Sequence, residues 1–212
     1  MYKIIALAAL SALSATASAA NLIKDGSFES PSVTQAANSW SLHSTLPGWS
    51  VGSVDGGAFG GLEVRNNVAG TAQNGSNFIE LDGNENDFIS QTFSTVKGQS
   101  YQLTFWYADR AGVAANSLGF EAEVESGKTH IDVNKGAFGD NGAGWHEQVI
   151  DFVAGGKHTT FTLSGAGTSD SYGTSFDNFS AMTAAVPEPA SLGLFAAGLA
   201  MLGAVARRRR QA

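Results

Sequence analysis

An all-β sandwich or barrel is the architecture predicted by the central part of this sequence. Short apolar runs alternate with period two, and no long stretch keeps a 3.6-residue period. Gly, Asn, Asp and Ser punctuate the runs, and the 26 glycines suit many tight turns. Strands are predicted over 49–54, 78–82 and 88–96. The clearest lies over 99–109, where Tyr101, Leu103, Phe105 and Tyr107 alternate with Gln102, Thr104, Trp106 and Ala108. Next, Phe120, Ala122 and Val124 alternate with Glu121, Glu123 and Glu125. Further strands are predicted over 145–153, around Phe161 and Leu163 between Thr160 and Thr162, and over 175–182. The total is roughly nine or ten strands with turn signals between them. Residues 111–116 and the glycine-rich 136–144 are predicted loops.

Both ends read as targeting segments and stand apart from the fold. Lys3 precedes an almost wholly apolar 4–13, and Ala17-Ser18-Ala19 follows as a small-x-small cleavage pattern. This is the make-up of a secretory signal cut after Ala19 or Ala20, with an apolar stretch too short for a lasting span. The predicted organisation is a signal peptide over 1–20, a β-sandwich domain over 21–183 and a linker over 184–190. A hydrophobic transmembrane sorting helix over 191–206 and a basic cytoplasmic tail over 207–212 complete it. Pro187 and Pro189 stop a preceding strand, because proline lacks the N–H that a ladder needs. The uncharged run that follows is a little shorter than the ~20 residues of a full span. Arg207, Arg208, Arg209 and Arg210 hold their end on the cytoplasmic side and put the body outside. The alternative, a buried C-terminal helix, fits poorly with a run that is apolar all round and ends in a charge block.

A domain of about 160 residues buries a sizeable core. The chain has no cysteine, so packing or a metal stabilises it outside the cell rather than disulfides. Between Asn21 and Val186 stand 18 acidic and 7 basic side chains, a net charge of −11. Such a body repels phosphate backbones, which argues against nucleic acid as a partner. It suits neutral ligands or divalent cations, or serves solubility alone.

Pro187-Glu188-Pro189 with Ala190-Ser191, the apolar segment and the basic end resemble the PEP-CTERM sorting signal of Gram-negative bacteria. The same tail type is described as an "ice-binding protein C-terminal" domain, a description that implies no ice binding. The resemblance implies a membrane-anchored precursor and cleavage near the motif by an exosortase. The protein would then be released to the cell surface or the exopolysaccharide matrix.

The body carries a second resemblance, on motifs spread along its length. They are Asn21-Leu22-Ile23, Gly26-Ser27-Phe28-Glu29, Leu46-Pro47-Gly48-Trp49, Asn77-Phe78-Ile79-Glu80-Leu81-Asp82-Gly83 and Ser90-Gln91-Thr92-Phe93. Gly98-Gln99-Ser100-Tyr101 and Phe176-Asp177-Asn178 complete the set. In this order they resemble the galactose-binding-like jelly rolls, in particular secreted bacterial proteins similar to a plant cell-wall domain of unknown function and grouped as choice-of-anchor proteins. The opening and the late Asp also resemble carbohydrate-binding modules of xylanases. The resemblance implies a structural Ca²⁺ where the first strand meets the last, with Glu29 and Asp177 as ligands and a carbonyl from Ser27. The other reading of Glu29 and Asp177 is a pair of exposed or capped carboxylates.

No motif points to catalysis. His43, His130, His146 and His158 form no metal-binding pair along the chain, and there is neither a cysteine nucleophile nor a G-x-S-x-G elbow. Glu121, Glu123 and Glu125 share a strand face expected to be solvated. Residues 82–87 begin like an EF-hand loop but carry Asp87 at position six and Phe93 at position twelve, so they are expected to form an acidic hairpin turn. Trp106 lies out of phase with the Tyr101/Leu103/Phe105/Tyr107 row, so one of the two faces carries an unusual aromatic. With Arg110, Tyr172 and the neighbouring Asn116 it forms the predicted glycan platform; burial of Trp106 under a loop is the alternative. Trp40, Trp49 and Trp145 are expected in the core or at its rim. The resulting expectation is a non-catalytic extracellular module that binds exopolysaccharide or cell-wall glycan. The competing classes are a self-associating matrix protein without a sugar pocket and a glycan-processing enzyme.

Overall fold

In the computed structural model, residues 20–33, 35–184, 198–199 and 207–208 are described. The predicted signal peptide, the Pro187-Glu188-Pro189 motif and nearly all of the predicted sorting helix lie outside them. Among the described residues no helix is long and apolar enough to cross a membrane.

Eleven strands form the described body: β1 Ser39–His43, β2 Ser50–Ser53, β3 Leu62–Asn66, β4 Phe78–Glu80, β5 Asp87–Ser94, β6 Ser100–Ala108, β7 Gly119–Ser126, β8 Thr129–Gly136, β9 His146–Val153, β10 His158–Gly165 and β11 Ser175–Thr183. They make two antiparallel sheets, a six-stranded one in the order β1-β3-β4-β11-β6-β9 and a five-stranded one in the order β2-β5-β10-β7-β8. Consecutive strands mostly jump between sheets, as in a jelly-roll sandwich. Strands β1, β3 and β8 were not foreseen. β1 and β8 are edge strands with little core-facing apolar alternation, and β3 is short and mixes Leu62 and Val64 with charged Glu63 and Arg65.

The core lies between the sheets. Leu103, Phe105 and Tyr107 of β6 meet Phe120 and Val124 of β7 and Phe161 and Leu163 of β10, all buried. Phe105 stacks on Phe179 at 5.4 Å between ring centroids, and Phe28 and Trp49 pack edge-on or tilted against the same group. Two backbone irregularities make this possible. Phe28 has φ +57°, an unfavourable conformation for a bulky residue, and its fully buried ring holds it there. Asn178 has φ +52° where the β11–β6 register shifts, so Phe176 and Phe179 both face the core despite their odd spacing. Among the described residues, every buried core hydrophobic lies between Ile23 and Ala181, so the described body packs around a core of its own.

Trp49 is buried, as expected, but Trp40 is 53% exposed on edge strand β1. The reason is register: Trp40 lies opposite Arg65, on the face of the sheet turned away from the core.

Phe179→Ala removes a ring that packs against four others, those of Phe28, Trp49, Phe105 and Phe161. The expected loss is about 3–5 kcal/mol of unfolding free energy, read from urea denaturation of residues 21–184. A loss under about 1 kcal/mol would mean that the site collapses around the cavity.

Candidate functional site

The outer face of the six-stranded sheet is unusual. Strand pleating puts Glu63 and Arg65 of β3, Phe78 and Glu80 of β4, Ser175 and Asp177 of β11, and Trp106 and Ala108 of β6 on the side away from the core. Most of these are nevertheless buried, because loops from 67–77, 109–114, 137–145 and 168–174 gather over them.

Charge pairing holds the centre of this face. The fully buried Arg65 makes ion pairs with Glu63 and Glu80. Burial pulls the Arg65 pKa down to about 10 against the attraction of Glu63, so it stays cationic at neutral pH. Glu80 also receives Arg110, whose Nη1 lies 3.1 and 3.2 Å from its two carboxylate oxygens. The Gly173 N–H donates to Glu80 Oε1 at 2.9 Å. The next outward carboxylate, Asp82, is likewise buried. Its Oδ2 accepts the N–H groups of Asp170, Ser171 and Tyr172 at 3.0, 3.1 and 3.3 Å. Burial raises the Asp82 pKa, opposed by these amides. The loop bearing Tyr172 is thus tied down at two carboxylates, and the Tyr172 ring lies 4.7 Å from the Arg110 guanidinium carbon.

Two adjoining cavities open beside this cluster, sharing Ala69 and Ala111 on their walls. One, of about 440 Å³, is lined by Arg110, Tyr172, Asp170 and the 111–114 loop. The other, of about 260 Å³, lies among Phe78, Trp145, Ala108, Ser175 and the 69–71 and 142–144 segments. Trp145 meets Phe78 edge-on at 5.9 Å, and its Nε1–H donates to the Thr71 carbonyl at 3.0 Å. Asp109 accepts the N–H groups of Phe138 and Gly139 at 3.1 and 2.7 Å, and Asp140 pairs with His146 at 2.7 Å, which fixes the loop leading to Trp145.

The structure therefore brings Arg110 and Tyr172 together in one cavity. Trp106 points away from the core, in the phase expected, and is half-buried. It lines neither cavity but stands two residues before Ala108 on the same face, opposite Asp177 and Glu147. Asn116 bonds Thr168 at 2.9 Å rather than joining Arg110. Sequence reasoning left Trp145 to packing and missed Glu80, Asp82 and Asp109. The signal was available: carboxylates within or beside apolar strand ends such as Phe78-Ile79-Glu80-Leu81-Asp82 are rarely buried without a partner.

The two residues expected to bind calcium meet the same loop. Glu29 Oε1 accepts the N–H groups of Ser76 and Asn77 at 2.6 and 2.7 Å. Asp177 Oδ2 accepts those of Gln73 and Asn74, both at 2.8 Å, and its Oδ1 accepts that of Asn178 at 2.6 Å. Burial pushes the Asp177 carboxyl up to about 7, helped by the Glu29 charge and opposed by the amides. Ser27 is half-buried in the turn before Phe28. Asn77, whose N–H donates to Glu29, has a buried Oδ1 without a hydrogen-bond partner, an oxygen donor of the type a hard cation takes.

On the opposite sheet, His130 Nδ1 lies 3.2 and 3.8 Å from Glu123 and Glu125, and its Nε2 lies 3.0 Å from Asp132. Pairing of β7 with β8 creates this group, which no spacing along the chain reveals. All four are at least partly exposed, as expected for the face of Glu121, Glu123 and Glu125. The acidic turn 82–87 is closed by an antiparallel bridge between Asp82 and Asn86, as expected for a hairpin turn, and Asp82 and Asp87 are buried in it.

The sandwich and its loop-walled outer face define a jelly-roll module of the kind found among carbohydrate-binding domains. The chain belongs to the family described as "Protein of unknown function (DUF642)", which matches residues 21–180. Residues 185–210 match the PEP-CTERM protein-sorting motif, a signal for export and cell-surface sorting. No curated protein matches the chain by sequence. Among solved structures, a family 61 carbohydrate-binding module in complex with β-1,4-galactotriose is similar with a TM-score of 0.54 and 18% identity, covering 78% of this chain and 99% of its own. The CBM22-1 xylan-binding domain from Paenibacillus barcinonensis has a TM-score of 0.43 and 13% identity over 73% of this chain and 100% of its own. A family 35 module from Clostridium thermocellum has a TM-score of 0.43 and 14% identity over 69% of this chain and 99% of its own.

Two outcomes follow from the buried charges. Glu80→Ala leaves the buried Arg65 with Glu63 as its remaining carboxylate partner and releases Arg110 and Gly173, so urea unfolding should show a loss of about 3 kcal/mol. Asp177 has a folded pKa above its unfolded value, so its ionisation opposes folding as pH rises. In chelator, the melting temperature should fall between the ordinary 3.8 of an Asp and about 7, and Asp177→Asn should flatten that fall. A profile unchanged by the substitution would show that Asp177 is ionised without penalty.

Proposed function

We propose that the domain is a non-catalytic, extracellular glycan-binding module that takes a neutral polysaccharide, of the exopolysaccharide or cell-wall type, into the double cavity on the outer face of the six-stranded sheet. The observation that carries this reading is the pairing of Arg110 with Tyr172 over a buried Glu80. Glu80 occupies one edge of the Arg110 guanidinium, and the remaining N–H donors are available to sugar hydroxyls. Tyr172 is 48% exposed, so its ring offers an apolar surface at the cavity mouth. Trp145 and Phe78 supply the apolar wall of the adjoining cavity, and Trp106 extends the same face beyond Ala108. The acidic surroundings favour neutral over anionic chains. The similar family 61 module, solved with a β-1,4-linked galactotriose, supports testing β-linked neutral hexans first.

The reading is tested by affinity electrophoresis of residues 21–184 in gels containing neutral and acidic polysaccharides. Tyr172→Ala and Trp145→Ala should each weaken retention about tenfold or more with little change in melting temperature. Trp106→Ala should weaken it less, because that ring lies outside the cavities. Retention unaffected by all three would overturn the reading and favour a matrix protein that only associates with itself.

Two parts of the wider reading are tested separately. Glu29, Asp177 and a carbonyl from Ser27, with Asn77, hold a structural Ca²⁺ in this proposal. Calcium at a hundredfold excess over its dissociation constant then adds about 2.7 kcal/mol of stability, which chelator removes and Asp177→Ala abolishes. An exosortase cuts the chain near Pro187-Glu188-Pro189, so mass spectrometry of the extracellular protein should find no peptide containing Arg207 to Arg210. A secreted form retaining those arginines would overturn this cleavage.

A further inference from the structure

The end of the sandwich where β2 meets β5 holds an unexplained group of oxygens. Asp87, the first residue of β5, is 1% exposed. Its Oδ2 accepts the Gly83 N–H at 3.2 Å, while its Oδ1 is buried without a hydrogen-bond partner. Ser53 of β2 lies directly opposite in register, and its Oγ is also buried and unpartnered. Opposed residues of an antiparallel pair point to the same face, with Cβ atoms about 5 Å apart. Ile89 and Val51, the next pair on that face, belong to or pack against the core, so Asp87 and Ser53 look inward at the rim of the sandwich.

The wall of this space is cut away. A Cβ on Gly83 would lie 2.6 Å from the Gly61 carbonyl oxygen, 3.0 Å from Leu42 Cδ2 and 3.4 Å from Asp87 Oδ2, so Gly83 keeps open a gap walled by a carbonyl, a methyl group and a carboxylate. The Glu85 carboxylate lies over the same 55–61 loop, 2.7 Å from where a Gly57 Cβ would stand. Leaving a carboxylate oxygen and a hydroxyl oxygen unpaired in the interior is costly, and natural interiors rarely do so. Burial first, then the charges of Asp82 and Glu85, push the Asp87 carboxyl up to about 7, against the pull of the Gly83 amide. Neighbouring carboxylates that raise one another are stabilised together by a cation.

From this geometry we infer that Asp87 Oδ1, Ser53 Oγ and the Gly61 carbonyl, closed by the Glu85 carboxylate, form a binding site for a hard divalent cation of the Ca²⁺ type. The donors are all oxygen, from carboxylate, hydroxyl and carbonyl, which suits Ca²⁺ and disfavours metals that prefer nitrogen or sulfur. Irregular loops supply them, and Ca²⁺ tolerates irregular coordination where Mg²⁺ demands an octahedron. With two carboxylates at the site, the dissociation constant belongs in the range of about 10⁻⁴–10⁻³ M typical of extracellular modules. The ion would cross-link the 55–61 loop to the turn 82–87, whose Asp82 holds the Tyr172 loop. The site is separate from Glu29 and Asp177, which bind the 73–77 segment.

The test is a count of bound ions by equilibrium dialysis against radioactive Ca²⁺ at millimolar concentration. It uses residues 21–184 carrying E29Q and D177N, so that the other proposed site is silent. That protein should bind one ion per chain, and adding D87N or G83A should reduce this to none. D87N removes a buried charge without changing shape, so it should melt no lower than its parent in chelator, and only the parent's melting temperature should rise with Ca²⁺. No ion bound by the E29Q/D177N protein, or an ion retained after D87N, overturns the assignment.

Discussion

The interaction on which the rest of this structure depends is that between a buried carboxylate and the backbone amides of a loop. The buried Glu80, Asp82, Asp109 and Asp177 each accept one or more main-chain N–H groups from a loop lying over the sheets, and the exposed Glu29 does the same for Ser76 and Asn77. Loops laid over a sheet face carry amides that water no longer reaches, and each needs a partner. A carboxylate accepts several at once, and such charge-assisted bonds are stronger than neutral ones. The chain has no disulfide to fasten these loops, and its carboxylates take over that role.

This arrangement opposes two large terms. Burying a carboxylate costs several kcal/mol of hydration, visible in the raised pKa of Asp82, Asp87 and Asp177. Arg65, Arg110 and the Gly173 amide offset that cost at Glu80, whereas the three amides on Asp82 offset only part of it, and the raised carboxyls are where a bound cation would have most to offer. The same geometry preorganises the candidate site. Arg110 is held by Glu80 and the Tyr172 loop by Asp82 and Glu80, so little side-chain entropy would be lost if a ligand bound there.

The two sheet faces turned to solvent divide the roles. The five-stranded sheet presents Glu121, Glu123, Glu125, His130 and Asp132, a hydrated surface whose exposed pairs contribute little energy. The six-stranded sheet is covered by loops that wall two cavities. The match to the PEP-CTERM motif begins at residue 185, just after the last strand ends at Thr183, so the motif lies outside the described sandwich.

Period-two alternation along 99–109 was enough to assign the inward row Tyr101, Leu103, Phe105, Tyr107 and to turn Trp106 outward, because pleating alternates side chains whatever the partner strand is. The order of motifs and the Pro-Glu-Pro tail likewise identified the family and the sorting signal from local residues. Strand β8 escaped, since an edge strand buries too little to show a pattern, and β3 escaped because its outward residues are charged yet buried. Arg110 and Tyr172 were both named from the sequence as neighbours of a platform. Their meeting over Glu80, the entry of Trp145 into the cavity wall and the pairing of Ser53 with Asp87 depend on strand register and loop closure. Those are long-range choices: they bring together residues 30 to 93 positions apart, and no pattern within one strand encodes them.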